Sequence, residues 1–493
     1  MRLNPITLVN FRLAGGWRQN AIIAGVYLGL VLLISLLIYR FSDAQDYSNI
    51  HAGFAAILGG LQGAFILMVA PSAVRQAVLR DAQTGMIESH RLSPMSNLSL
   101  VIGYLTGPTA QGFLLFLIGL VVGSFFAGWY GQSLGFTGTM LSTWYLGQLC
   151  LITLAFMVIS LVVLISVASS GKTNIMAFLI ILGVFGGWLV TGLVPGLALL
   201  IGAMTVNLLA QLLTRGGSIQ GDPFVTAWAM VLQVVFGMIF ICAACRRIRA
   251  PERSMFSIPL SLGLLAVSGV TLVVGWQAYR GFSWFAGFGS SGAPQWIGST
   301  VAFMVVALLA LVAAACHRVA EDRAVVLTTG GPPPALRLVD LLPLLLAGGT
   351  LALEFYVSQY ELLRRFTWDW MTFCCAPALA IAASFWLDYQ WIYILAAGRA
   401  RLFRSVVAIW LLLKVMPLAI GGLISFITEV SGRVGPSEAH FFAASPIGTL
   451  ILISNNENPW YGLILQIALA ILGTVLALRV RRGARVEPNR RLA

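Results

Sequence analysis

The stretch LSTWYLGQLCLITLAFMVISLVVLISVA, residues 141–168, decides the fold class of this chain. It contains no charged residue, and it is longer than the roughly twenty apolar residues that an α-helix needs to cross the hydrocarbon core of a membrane. Such a run has no place on the surface of a water-soluble domain. The stretch therefore predicts a transmembrane helix.

The rest of the chain has the same character. Of its 493 residues 59% are hydrophobic and only 10% are charged, and the mean hydropathy is +0.91. A soluble domain needs far more polar surface. The pattern predicts an all-α polytopic membrane protein embedded in a lipid bilayer. The candidate spans are residues 20–39, 52–74, 98–127, 141–168, 175–191, 193–213, 225–245, 256–276, 296–316, 338–356, 371–387, 403–427 and 460–478.

The arginines set the predicted orientation. The net charge of +13 is almost all arginine, because Lys172 and Lys414 are the only lysines. Arginine clusters at the ends of spans mark the cytoplasmic side. Both termini are cytoplasmic if residues 175–213 cross the membrane once, with one piece of this segment dipping back as a re-entrant hairpin. This predicts about twelve spans in the plasma (inner) membrane. Nucleic acid is not indicated as a partner, because no extended polar domain presents a basic face.

Two segments of the chain are similar to each other. DPFVTAWAMVLQVVFGMIFICAACRRIRAPE (222–252) and NPWYGLILQIALAILGTVLALRVRRGARVE (458–487) both begin with a polar residue and Pro, and in both an apolar span is followed by a double arginine with a Glu five residues beyond it. The similarity predicts two related transmembrane halves, 20–250 and 251–480, after an amphipathic interfacial segment (1–19) and before a cytoplasmic basic tail (481–493). The positive-inside rule alone also places arginines after a last span, so both interpretations stay open.

A polar interruption, RDAQTGMIESHRLSPMS (80–96), separates the second and third spans. Apolar residues recur every four positions from the second span into this segment and predict a helix with one apolar stripe, formed by Val74, Val78, Ala82 and Met86. Gly85 allows the backbone to turn. Ser93 fits the N-cap of the next helix and Pro94 its first residue. Residues 75–96 therefore predict an acid-bearing elbow at the water surface.

This elbow resembles that of the membrane-spanning subunits of type-2 ABC exporters, which reads E-R-x-x-G-T-x-E-x-L-L-x-T-P-L-S. The matching positions are Asp81, Gly85, Glu88, Ser93, Pro94 and Ser96. Met86 stands where the family has Thr, and residues 89–91 are polar where the family has an apolar run. Residues 1–250 follow the family's layout, and Pro195–Leu213 resembles the hairpin that precedes the family's last span. The second half matches by its span count and by a cytoplasmic elbow at 387–405.

The resemblance implies a permease whose elbow is a coupling helix that docks in a groove of a separate ABC ATPase subunit. The coupling residues would be Asp81, Gly85, Glu88, Ser93 and Pro94. ATP and Mg would bind to the partner, so that this chain holds no cofactor and catalyses no reaction. An exposed acid on an elbow can bind a partner's arginine. The alternative is a short polar loop that caps two spans.

The segment SSGKTN (169–174) contains the end of a phosphate-binding loop. That loop also needs a glycine where this chain has Ser166, and it follows a strand, whereas this segment follows a predicted transmembrane helix. Lys172 is therefore interpreted as a positive-inside anchor. Energy for transport would come from another chain or from an ion gradient.

Two rival functions stay open. Glu354 lies well inside a predicted span, where an ionised group is costly, and it would be central to a proton-coupled secondary transporter. Lys414 is the candidate partner of Glu354 in such an intramembrane polar site. A membrane-embedded enzyme acting on lipid-linked substrates lacks an acid pair or histidine cluster at one face, and the four histidines make no metal site. The sequence leaves open whether the substrate is a lipid, glycan, peptide or drug, and whether a second permease copy is needed.

Overall fold

A computed structural model describes most of the chain. Every secondary-structure element in the described ranges is helical. The described residues form two compact units, the first up to Met255 and the second from Phe256. The described residues are 4–41, 47–92, 95–169, 223–250, 255–279, 293–329, 334, 337–365, 376–398, 405–406, 409–417, 420, 445–449 and 460–483.

The first unit is built from nine described helices, and a π-helical turn, Phe65–Val69, joins the third to the fourth. The helices are α1 (Pro5–Leu13), α2 (Gly16–Phe41), α3 (Tyr47–Ala64), α4 (Ala70–Gln83), α5 (Met86–Leu92), α6 (Asn97–Thr106), α7 (Ala110–Leu134), α8 (Thr137–Ser169) and α9 (Pro223–Arg249).

The second unit contains five longer helices in its described part. They are α10 (Ile258–Tyr279), α11 (Ala293–Thr329), α12 (Leu342–Arg365), α13 (Ala376–Ala397) and α14 (Trp460–Gly483). A 3₁₀ turn, Leu338–Leu341, leads into α12, and a π-helical turn lies at Leu411–Val415. Residues 445–449 form a short, buried helical segment.

Eight helices in the described ranges are long and apolar enough to cross a membrane, and three further apolar helices are shorter. The prediction of an all-α polytopic membrane protein is therefore confirmed, while the number of about twelve spans stays a prediction. The hairpin predicted at Pro195–Leu213 lies outside the described residues. The eight candidate spans are Gly16–Leu37, Ile50–Gln83, Ala110–Leu134, Thr137–Ala168, Thr226–Arg249, Ala302–Val326, Ala376–Ala397 and Gly462–Arg481.

The predicted single span at 98–127 is wrong, because two helices occupy it. α6 ends at Thr106 and α7 begins at Ala110. Pro108 lies between them, and proline removes one backbone hydrogen bond and collides with the preceding turn of a helix. α6 is too short to cross the membrane by itself, and it packs against α1. A side chain at Gly103 would collide with Ile6 of that helix.

The first part of the predicted second elbow, 387–405, is helical: α13 continues without a break to Ala397 and is long and apolar enough to be a candidate span. The cytoplasmic position of this elbow stays a prediction. The polar residues that indicated an elbow, Asp388 and Gln390, are both buried. Polar side chains that pack against protein can lie within a span, so they do not mark where it ends.

The interior of the first unit is centred on α3, α7 and α8. One face of α7 carries glycines, which allow the neighbouring helices to approach closely. Gly123 faces the ring of Trp144, which is fully buried, and Gly119 faces the side chain of Gln62. The fit places large side chains of α3 and α8 directly on the backbone of α7.

Candidate functional site

The elbow between the second and third predicted spans is a sharp turn between two helices. α4 ends at Gln83 and α5 begins at Met86. Gly85, between them, has a φ of +73°, a left-handed conformation that other residues adopt only with strain. Its carbonyl oxygen accepts the backbone N–H of Glu88 at 3.1 Å. The turn therefore depends on a glycine at this position.

The short helix α5 presents an acid to the outside. Ile87 is buried, whereas Glu88 and Met86 are exposed. α5 contacts both α4 and α9, so it rests on the body of the first unit. Glu88 is thus exposed on a helix that packs against two neighbouring helices.

Asp81 is not exposed, although it was predicted as an acid that contacts a partner at the surface. It is buried, and the phenol of Tyr104 on α6 donates a 2.8 Å hydrogen bond to its Oδ2. Burial, together with the Asp81 carboxylate, raises the pKa of the Tyr104 phenol, so the phenol keeps its proton and remains the donor. Asp81 therefore joins α4 to α6. Its place three residues after Val78, on the apolar stripe, is the sequence signal for this role.

Arg80 connects the elbow to the amino-terminal helix. Its Nη2 donates to Oδ1 of the buried Asn10 at 2.9 Å. On the same helix α1, the side chain of Asn4 donates to the carbonyl oxygen of Ser99 at 2.5 Å. The hydroxyls of Thr7 and Thr106 lie 2.9 Å apart. α1 is therefore fastened to α4 and to α6, by residues that the sequence analysis did not single out.

The predicted cap of the next helix is wrong. α6 begins at Asn97, and the side chain of Ser96 accepts the backbone N–H of Ser99 at 3.2 Å. Ser93 and Pro94, which were predicted as N-cap and first helical residue, lie outside the described residues. The sequence offers two serines with the properties of a cap, and only the position of the helix distinguishes them.

A buried ion pair lies in the second unit. Lys414, on the π-helical turn Leu411–Val415, is only 2% exposed, and its Nζ lies 3.4 Å from Oδ1 of Asp388 on α13. The same Nζ donates to the hydroxyl of Ser384, and the Ser445 hydroxyl donates to the Lys414 carbonyl oxygen at 2.8 Å. Glu354 lies on α12, but its side chain lies outside what the structure describes. Asp388 was not predicted as a partner of Lys414, because it lies one residue beyond the predicted span 371–387.

A second group of buried charges ties together the ends of several helices in this unit. Arg318 of α11 is completely buried and lies 3.4 Å from Asp322 and 3.5 Å from Asp340. The Tyr389 hydroxyl donates to Asp340 at 2.6 Å, and the Tyr393 hydroxyl donates to Asp322 at 2.9 Å. Because each acid also accepts a hydrogen bond from a tyrosine of α13, this group of charges connects α11, α13 and the 3₁₀ turn at Leu338–Leu341.

Neither a metal site nor a known relative identifies the protein. Within the described ranges, no three His, Cys, Asp or Glu side chains come together in a way that could hold a metal ion. No protein-family model matches the chain, and no curated protein or solved structure matches it. Function therefore has to be inferred from the geometry of the chain itself.

Proposed function

We propose that this chain is the membrane-spanning permease subunit of an ATP-driven exporter of the type-2 ABC kind. The elbow at residues 75–96 would dock a separate ATPase subunit on the cytoplasmic side of the plasma membrane, and that subunit would bind ATP and Mg. The observation that carries the proposal is the short helix α5, which exposes Glu88 and packs against both α4 and α9.

The exposed Glu88 supplies the contact. A carboxylate on a short surface helix can accept two hydrogen bonds from one arginine of a partner. Charge-assisted hydrogen bonds of this kind are about twice as strong as neutral ones. The left-handed turn at Gly85 fixes the direction in which α5 projects from α4. Docking would therefore be specific in orientation as well as in charge.

The buried contacts behind α5 supply the transmission. The Asp81–Tyr104 hydrogen bond connects α4 to α6, and the Arg80–Asn10 hydrogen bond connects α4 to α1. Ile50–Gln83, which ends at the elbow, is itself a candidate span. A rigid-body movement of the partner would thus reach a spanning helix without passing through a loop.

The test is a charge reversal of Glu88 with a matched control. Glu88→Arg is expected to weaken association with the partner ATPase by about tenfold to a hundredfold, since an interfacial charge pair becomes a repulsion worth roughly 1.4–3 kcal/mol. Thr328→Arg introduces the same side chain at an exposed position of α11, outside the elbow, and should leave association unchanged.

Association is measured by purifying the tagged chain from its native membrane, identifying the co-purified ATPase, and titrating the two reconstituted proteins. Stimulation of ATP hydrolysis by the permease should fall in parallel for Glu88→Arg only. If both variants bind and stimulate like the natural chain, the elbow is not the docking site. If no ATPase co-purifies, a proton-coupled transporter or an enzyme on lipid-linked substrates becomes the better explanation.

A further inference from the structure

Two glutamines in the first unit lie in the middle of candidate spans. Gln62 is fully buried and Gln148 is 2% exposed. The amide nitrogen of Gln62 donates to the carbonyl oxygen of Phe116 at 3.1 Å. Its amide oxygen, and both amide atoms of Gln148, have no hydrogen-bond partner in the part of the chain that the structure describes. Buried polar atoms without partners are unfavourable, most of all where no water competes.

The packing brings both glutamines to the same level of α7. A Cβ atom at Gly119 would lie 2.8 Å from Cγ of Gln62. Trp144 of α8 faces Gly123, and its indole N–H donates to the Leu120 carbonyl oxygen at 3.4 Å. α8 runs back along α7 after a tight turn, so Gln148, one helical turn beyond Trp144, lies at the level of Gly119.

The backbone next to Gln62 is also unusual. The π-helical turn Phe65–Val69 begins within one turn of this residue, and such turns occur often at functional sites. α7 approaches the turn directly, because a Cβ atom at Gly112 would lie 3.0 Å from the Phe65 carbonyl oxygen. α3 and α8 therefore pack on α7 where Gln62 is incompletely hydrogen-bonded, and an irregular turn begins within one helical turn of it.

We propose that Gln62, Gln148 and the α7 backbone around Gly119 form a binding site for an uncharged group that both donates and accepts hydrogen bonds. Neutral amides match such a group in both directions, whereas an ionised group would need a compensating charge. Sugar hydroxyls and peptide amides share this chemistry. The inference rests on the proposed function, because a permease has to offer its cargo polar partners within the membrane. Three of the four amide atoms lack such partners among the described residues, and the bound cargo would supply them.

The experiment uses photo-crosslinking to the purified chain in phosphatidylcholine nanodiscs, without any ATPase. The probes carry the same diazirine-bearing octyl chain with three headgroups: glucose, N-methylamide and trimethylammonium. Peptide mapping by mass spectrometry locates the labelled residues. The variants are Gln62→Met and Gln148→Met, and Gln132→Met changes an exposed glutamine of α7 as the matched control.

Labelling of α3, α7 and α8 near Gly119 is expected from a neutral probe, with competition by excess unlabelled octyl glucoside. It should fall about threefold to tenfold in each buried variant and stay unchanged in Gln132→Met, since each variant loses one or two hydrogen bonds. Stronger labelling by the glucose probe than by the amide probe indicates a glycan-like cargo. Stronger labelling by the amide probe indicates a peptide-like cargo.

Equal labelling by all three headgroups would show that only the alkyl chain binds, and would overturn the proposal. Unchanged labelling in both buried variants would overturn it as well, since the glutamines would then serve only to hold the helices together. Both Met variants should fold, because an apolar residue of similar shape replaces each amide: Gln148 gives up no described hydrogen bond, and Gln62 gives up only the one to the Phe116 carbonyl oxygen. The result does not depend on Glu88, so failure of the docking proposal and failure of this site are distinguishable.

Discussion

Removing one charge of the Asp388–Lys414 pair is expected to destabilise the protein far more than removing both. The Lys414 ammonium and the Asp388 carboxylate are 2% and 6% exposed, and the two charged atoms lie 3.4 Å apart. Lys414→Met keeps the length of the side chain but leaves the carboxylate buried without its cation. Asp388→Asn leaves the ammonium with the Ser384 hydroxyl as its remaining described partner. Each single change should lower the free energy of unfolding by about 3–5 kcal/mol.

The double variant Asp388→Asn, Lys414→Met removes both charges and should lie within about 1 kcal/mol of the natural chain, or above it. The two single effects add up to about 6–10 kcal/mol, so the expected coupling energy is at least about 5 kcal/mol. Thr474→Val is the matched control in the same unit. It removes the acceptor of the neutral Trp386 hydrogen bond, which is 2.8 Å long, and should cost about 1–2 kcal/mol.

The assay is unfolding by sodium dodecyl sulfate in dodecyl maltoside micelles, followed by tryptophan fluorescence, for the natural chain, both single variants, the double variant and the control. The reasoning would be refuted by single variants that unfold like the natural chain. It would be refuted equally by a double variant whose loss equals the sum of the single losses, because the two charges would then not interact.

Two further predictions concern the first unit and the false phosphate-binding loop. Tyr104→Phe removes the hydrogen bond to the buried Asp81 and should lower the free energy of unfolding by about 1–3 kcal/mol, and Asp81→Asn combined with it should be less than additive in the same unfolding assay. Lys172→Ala, at a position outside the described residues, should leave ATP hydrolysis by the reconstituted complex unchanged, and a loss of hydrolysis would restore the phosphate-binding interpretation.

The buried pair also bears on how the second unit works. An ion pair in apolar surroundings is rarely more stabilising than well-packed apolar residues of similar volume. Ionisable groups within a membrane are therefore functional candidates by default. Here the pair connects α13 to a π-helical turn, and Ser445 connects that turn to the buried segment 445–449. A double neutral variant that folds but no longer supports transport would separate a functional role from a structural one.

Part of the elbow could be predicted from the sequence. The glycine at position 85 indicated a turn because only glycine adopts a positive φ without strain. The position of Asp81 three residues after Val78 places it on the buried face of α4, whereas Glu88 lies beyond the turn at Gly85 and is exposed. The sequence does not, however, identify the partner of Asp81. Only the position of Tyr104, more than twenty residues further along the chain, makes Asp81 an internal contact.

The sequence by itself determined that the chain is helical and embedded in a membrane. The length of an apolar run can be compared with the thickness of a bilayer without knowing which residues pack against that run. The tertiary structure alone decided which polar residues have partners. Lys414 pairs with Asp388, Arg80 with Asn10, and Gln62 with the carbonyl oxygen of Phe116. These residues are far apart in sequence, and the energy of a buried polar group depends on which atoms lie within about 4 Å of it.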